Sequence, residues 1–359
     1  MGWGAAPRIA VVGTGANGAA IGADLVRAGH DVTFIEQWPA HVEAMNADGV
    51  RVEMPDEVQT TPVTAVHLCD VATLRRPFDL VLVVVKAYDV RWACELIKPL
   101  VAPDGIVIGL QNGMTVDAMA DIVGPHRTLG SVIEVSSNMF VPGVVTRQSP
   151  PSRSWFAVGG VTPDVHGRAE DVAAVLRCAG AVEVSDDIMS SKWMKLVVNA
   201  AELVPSAILG LPLADAEALP GMRDFMLQAG REAIAAAVQA GHRVRPIFGL
   251  EDADVDHPDA YVEQLFDRVL QHFTLPETQT TVLQDWVKGR RSEVQEINGL
   301  VVDVMTRRGL KAPANAATVD LAVRIEAGEL AAEPATLPLL LMELETAREI
   351  STNGSIGAL

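Results

Sequence analysis

Ile9-Ala10-Val11-Val12-Gly13-Thr14-Gly15-Ala16-Asn17-Gly18 is the stretch on which the reading of this chain turns. A short β-branched run enters Gly-x-Gly-x-x-Gly, and an amphipathic segment, Ala19 to Ala28, follows at once. That order predicts strand, tight turn, helix. In such a turn Gly13 reverses the chain, Gly15 lets backbone N–H groups approach a pyrophosphate, and Gly18 lets the helix pack closely on the strand. Ala16 and Asn17 complete the phosphate-facing turn, and the helix start adds partial positive charge. A second strand, Asp31 to Ile35, ends at Glu36. An acidic residue about 20 positions past the glycines is where the ribose hydroxyls of NAD are held. The plain alternative is a strand–turn–helix without a ligand, and the flanks on both sides favour the dinucleotide.

Outward from this unit, strand and helix signals alternate. A helix is expected over Ala40 to Ala47, then short strands or loops from Val50 to His67. Phe78 to Val85 is an almost unbroken β-branched run, as in a parallel strand covered on both faces. It ends at Lys86-Ala87-Tyr88. A helix over Val90 to Leu100 and a strand over Gly105 to Leu110 lead to Gln111-Asn112-Gly113-Met114. A helix over Val116 to Ile122 and a strand over Thr128 to Glu134 follow. The pattern predicts an α/β fold: a doubly wound, Rossmann-type parallel sheet. Ligands sit at the carboxyl ends of such strands, where Glu36, Lys86 and Asn112 fall. Val144 to Thr146 and Trp155 to Val158 read as an antiparallel pair appended to the sheet, before a helix over Ala169 to Arg177 and a strand over Ala181 to Val184.

From Ile188 onward the pattern is helical: Ser190 to Leu203, Met222 to Ala240, Asp259 to Phe273, Thr281 to Arg308 with breaks, Ala314 to Gly328 and Leu337 to Ile350. Ser351 to Leu359 reads as a frayed tail. The chain therefore divides into a dinucleotide-binding domain, 1–187, and a mostly α-helical C-terminal substrate and catalytic domain, 188–359.

Composition narrows the function. Of 359 residues, 49% are hydrophobic, ample for a sizeable core. A formal charge of −18 argues against a nucleic-acid partner. No apolar run approaches the roughly 20 residues of a membrane helix, and the first residues have no secretory pattern. Three scattered cysteines and eight histidines show no metal-ligand spacing. They point to a reducing cytoplasm. A homodimer is the expected assembly only on general grounds.

Three polar groups of the helical domain stand out. Lys192, Lys195 and Asn199 recur at helical spacing in an apolar setting and so share a face. A partly desolvated Lys195 could serve as a general acid. A solvated lysine on an amphipathic helix is the commoner explanation of such spacing. Glu293, four residues before Ile297 and seven before Leu300, falls at the edge of an apolar stripe; it could hold a substrate hydroxyl or pair with Arg290 at the surface. Asn112 could bind substrate or nicotinamide, or be a turn residue, since Asn-Gly marks turns.

With these motifs laid out, the chain resembles the ketopantoate reductase (2-dehydropantoate 2-reductase) family from about Arg8 to about Gly328. The carrying stretches are Gly13 to Gly18, Val85 to Tyr88, Gln111 to Met114, Lys192 to Asn199, and Glu293 to Gly299. The resemblance implies a Rossmann domain, a helical domain and an active site between them, reducing a 2-keto acid with NADPH. It further implies Lys195 as the general acid that protonates the new alkoxide and Glu293 as a carboxylate beside the substrate. Asn112 would lie near nicotinamide and substrate, Lys86 near the cofactor, and Asn199 against the substrate.

The chain departs from the family pattern at three points. Glu36-Gln37 stands where NADPH-dependent members carry a basic residue, so NAD is favoured over NADP. Leu203 replaces a second substrate asparagine. Thr281 replaces a substrate serine and keeps the hydroxyl. The expectation is a cytoplasmic NAD-linked oxidoreductase acting on a small 2-keto or 2-hydroxy acid. Its rivals are an NADPH-dependent ketopantoate reductase of pantothenate biosynthesis, an opine-type enzyme, and a non-catalytic dinucleotide sensor.

Overall fold

The computed structural model describes residue 3, residues 6–251 and residues 257–353. Contacts divide the chain into two compact units, Met1–Lys192 and Trp193–Leu359.

In the first unit, eight strands form one sheet: β1 (Arg8–Val12), β2 (Asp31–Glu36), β5 (Thr64–His67), β6 (Phe78–Val83), β7 (Val101–Gly109), β8 (Thr128–Glu134), β11 (Trp155–Gly160) and β12 (Ala181–Val184). Their order is β12-β11-β8-β7-β6-β1-β2-β5. From β8 to β5 all neighbours run parallel. β11 is antiparallel to β8 and parallel to β12. Alternation along β1 shows why the run is apolar throughout. Ile9 and Val11 enter the core on one face, and Ala10 and Val12 enter the core on the other. The covering helices are α1 (Ala16–Arg27), α2 (Pro39–Asp48), α3 (Val90–Ile97), α4 (Val116–Val123), α5 (Pro163–His166) and α6 (Ala169–Leu176). The chain goes from β1 to β2 on one side and returns to β6 on the other. This sets the topological switch point at the loops after β1 and β6.

A second sheet has four short strands in the order β4-β3-β10-β9, with β3 (Val50–Glu53), β4 (Val58–Thr61), β9 (Ser137–Val141) and β10 (Val144–Arg147). Here the expected pairing is corrected. The Val144 run pairs with β9 and β3, whereas the Trp155 run joins the main sheet beside β8. The two runs lie in different sheets because Arg147 draws β10 toward α1. Its fully buried guanidinium pairs with Asp24 and donates to the carbonyls of Ser149 and Ala179. Nothing local to either run encodes that.

The second unit is helical. Its first helix, α7 (Ile188–Ile208), begins in the first unit. Then come α8 (Leu213–Glu217), α9 (Met222–Gln239), α10 (Pro258–His272), α11 (Thr281–Val287), α12 (Leu300–Arg307), α13 (Pro313–Glu326) and α14 (Leu337–Asn353). α7 runs five residues past its expected end and straight through Pro205. Proline removes one donor there, but Val204, Ala207 and Ile208 are fully buried and keep the helix going. Helix α8 was not expected. α14 reaches Asn353, three residues past its expected end, and the rest of the expected tail, residues 354–359, lies outside the described residues. Among the described residues, no helix is long and apolar enough to cross a membrane.

Candidate functional site

In the first unit, the candidate cofactor residues gather at the switch point. Gly13 has φ +87°, and a Cβ there would lie 2.6 Å from the Val85 side chain, so the loops after β1 and β6 touch and only glycine fits. A Cβ on Gly18 would sit 2.2 Å from the carbonyl oxygen of Gly13, so its task is clearance of the turn itself. Gly15 faces open space, with nothing within 4 Å of such a Cβ. It precedes α1, whose start no side chain caps, so the first N–H groups of Ala16, Asn17 and Gly18 have no partner within the helix. Asn17 accepts a hydrogen bond from Ser137.

Glu36 ends β2 and is buried. Its Oε1 accepts from the backbone N–H groups of Gln37 (2.9 Å) and Trp38 (3.0 Å), and its Oε2 accepts from the Thr14 hydroxyl (3.1 Å). Lys86 is half-buried at the start of the turn after β6. Asn112, also half-buried, follows β7. The turn holding it is pinned by a residue that the sequence did not single out for this. The Lys192 ammonium donates to the carbonyl of Gln111 (2.9 Å) and to that of Ser131 (3.0 Å). Lys192 thus shares a helix with Lys195 but serves the turn after β7 and the middle of β8. These groups suit a dinucleotide: an open glycine, an uncapped helix start and a pre-oriented carboxylate at the second strand's end.

In the second unit, helix α7 is buried around its whole circumference from Trp193 to Ile208. The solvated-lysine explanation therefore fails for Lys195, which is 6% exposed. Its ammonium stands 5.4 Å from the centre of the Phe248 ring, a cation–π contact. Phe248 is the one non-glycine residue with positive φ (60°) among the described residues, and it packs on Phe273 at 5.3 Å. Backbone strain of this kind costs about 1–3 kcal/mol and persists only where its surroundings hold it.

One turn on, Asn199 is 0% exposed, and neither its amide nitrogen nor its oxygen has a hydrogen-bond partner. Leu203 is buried, and its carbonyl accepts from the Thr280 hydroxyl at 2.9 Å, which ties the start of α11 to α7. The next residue, Thr281, keeps its own buried hydroxyl without a partner. Glu293 is 3% exposed, which rules out its reading as a surface residue. Glu293 stands just ahead of a five-residue π-helix, Gln295–Gly299, and its carbonyl accepts from the N–H of Ile297 at 3.1 Å. Such π turns recur at functional sites. Asn298 within it donates to the carbonyl of Ala200 (3.0 Å) and to Asn315 Oδ1 (2.9 Å). On the other flank, one carboxylate oxygen of Glu326 accepts from the N–H and hydroxyl of Ser292 and from the Trp286 indole. The helical unit thus ties the segments carrying Thr281 and Glu293 to the stretch of α7 that bears Asn199 and Leu203.

Comparison with known proteins bears on both units. Residues 9–159 match the family model described as ketopantoate reductase PanE/ApbA, and residues 187–326 match its C-terminal model. A 2-dehydropantoate 2-reductase of Archaeoglobus fulgidus is 28% identical over 328 residues, covering 89% of this chain and 98% of that one. The crystal structure of a ketopantoate reductase of the same family from Ralstonia eutropha superposes with TM-score 0.75 at 28% identity, covering 89% and 99% of the two chains. A D-mandelate dehydrogenase solved with NADH and anilino(oxo)acetate has the same fold, with TM-score 0.78 and the same coverage at 20% identity.

Proposed function

The chain belongs to the ketopantoate reductase PanE/ApbA family, and from that premise we propose an NAD-linked enzyme that interconverts an apolar 2-keto acid and its 2-hydroxy acid. That it is an NAD(P)-dependent oxidoreductase acting on a CH–OH group follows from the family itself. The finer reading rests above all on one observation: a buried lysine and a buried, wholly unpartnered asparagine stand one turn apart on the same helix. Buried polar groups are nearly always hydrogen-bonded, so an orphaned amide calls for a ligand.

When bound, the nicotinamide supplies the hydride for reduction or takes it up in oxidation. In the reduction, Lys195 gives a proton to the carbonyl oxygen as the new C–H bond forms at C2. In the oxidation it receives that proton. Asn199 and Thr281 offer their unpartnered groups to the substrate, and Glu293 holds a substrate hydroxyl. Asn112 serves the nicotinamide or the substrate, and Lys86 the cofactor. Gly13 to Gly18 bind the pyrophosphate. Glu36 accepts a ribose hydroxyl and repels a 2′-phosphate, which supports NAD over NADP. Leu203 presents methyl groups where an amide would select a polar substituent. A sensor that only bound dinucleotide would have no use for a desolvated ammonium beside an orphaned amide.

The test is Lys195→Met. Turnover should fall by about 10² or more if proton transfer is its task. NADH affinity should change less than about twofold. Near-normal turnover would refute the assignment.

A further inference from the structure

The glycine-rich turn has a second anchor that the cofactor reading does not use. His41, in α2, is fully buried. Its Nδ1 lies 2.8 Å from the backbone nitrogen of Gly143, in the turn between β9 and β10. An N–H can only donate, so Nδ1 carries no proton and the ring's hydrogen is on Nε2. That nitrogen is 2.9 Å from the carbonyl oxygen of Thr14 and donates to it. Burial also keeps the ring neutral, pushing its pKa down against the opposing effects of the Thr14 bond and of Glu36.

Thr14 is therefore held twice, by its carbonyl through His41 and by its hydroxyl on Glu36. Two consequences follow from covalent geometry. In a trans peptide the C=O and N–H point in opposite directions, so drawing the Thr14 carbonyl toward His41 turns the Gly15 N–H away from it, on the residue that faces open space. A carboxylate has about four acceptor positions. Gln37, Trp38 and Thr14 take three on Glu36, leaving one, on Oε2, in a fixed direction.

We propose that His41 is a positioning residue for cofactor choice: through Thr14 it orients both the Gly15 N–H that meets the pyrophosphate and the remaining acceptor of Glu36 that meets the ribose. This rests on the reading of Glu36 as the ribose-binding carboxylate. The residue lies outside the glycine motif, and its two hydrogen-bond partners, Thr14 and Gly143, come from separate loops.

The experiment is titration of NADH and NADPH into the full-length protein and its His41→Leu, His41→Gln and Thr14→Val variants. Loss of one hydrogen bond behind a binding group predicts that His41→Leu binds NADH about fivefold more weakly. Its preference for NADH over NADPH should fall about threefold. His41→Gln, which offers a donor in place of Nε2, should return both to within about twofold of wild type. A merely structural histidine would not move the preference. Unchanged affinity and preference in His41→Leu, or a loss that glutamine does not relieve, overturns the proposal. Should His41→Leu fail to fold, Thr14→Val, which keeps the carbonyl that His41 holds and removes the hydroxyl on Glu36, reads the second half of the link, and an unchanged preference there overturns the proposal. A wild-type protein that prefers NADPH would instead refute the role of Glu36, and the loss of affinity in His41→Leu would still decide the role of His41.

Discussion

Lys195 and Asn199 stand one turn apart on a helix buried on all sides, and of the two it is the asparagine whose polar atoms have no partner at all. An unsatisfied buried amide costs the fold about 1–3 kcal/mol. Asn199→Leu, with the same branched outline, should therefore raise the unfolding free energy, by about 1 kcal/mol after some loss to the larger side chain. The substrate KM should rise at the same time, by about tenfold or more. Denaturant unfolding and steady-state kinetics on one variant check both signs. A destabilised variant with an unchanged KM would make Asn199 an ordinary core residue.

The prediction for cofactor preference rests on Glu36. NAD(H) should bind at least about tenfold tighter than NADP(H), roughly 1.4 kcal/mol. Glu36→Arg should narrow or reverse the ratio. Equilibrium titration decides, and equal or tighter NADP(H) binding by the unmodified protein would remove the basis of the NAD reading.

The prediction for substrate choice rests on Leu203, whose side chain is buried and offers no hydrogen bond. A hydroxyl stranded against it costs about 1–3 kcal/mol. Ketopantoate should be a poor substrate beside keto acids with apolar side chains, and Leu203→Asn should shift the balance toward ketopantoate. A panel of keto and hydroxy acids, followed by NADH absorbance, tests this. A kcat/KM for ketopantoate above about 10⁵ M⁻¹s⁻¹ would show that Leu203 does not redirect specificity.

Two groups should each lose a stabilising contribution on the acid side. His41 has a depressed pKa, so the unfolded chain takes up the proton first. Its contribution is complete above its ordinary value of about 6.5 and is lost as pH falls toward the folded value. Glu326 is opposed by desolvation, but hydrogen bonds from Ser292 and Trp286 outweigh it and hold its pKa down. Its contribution is complete above about 4.5 and is lost as pH falls through the lower folded value. Tm measured against pH should be flatter below about pH 6.5 for His41→Gln and below about pH 4.5 for Glu326→Gln. Superimposable curves for all three proteins would contradict both assignments.

What the sequence made legible was local. The β1–turn–α1 unit could be read because the apolar run, the three glycines and the helix adjoin. The buried runs of β6 and β7 could be read because burial on both faces leaves no alternation to confuse them. The partners of β10 could not, because they depend on Arg147 meeting Asp24 across 123 positions. In the site, Lys195, Asn199 and Glu293 were found as residue types at suggestive positions. Their burial was not, since periodicity marks a face without saying what covers it. His41 and the anchoring role of Lys192 escaped notice because their partners are mainly main-chain groups, and every residue carries those.

The π turn from Gln295 to Gly299 has a consequence for ancestry and comparison. It winds more residues into a turn than an α-helix does, and each residue gained or lost in a helix rotates what precedes it by about 100°. The heading of Glu293 relative to Asn298 is therefore set by the length of the segment as much as by its letters. Removing one residue there would re-aim the carboxylate while leaving both Glu293 and Asn298 in the chain. Relatives that differ by a single insertion across this turn would share the glutamate in alignment and point it elsewhere in space, so a change of specificity in this lineage could arise from a change of count with no change of side chain.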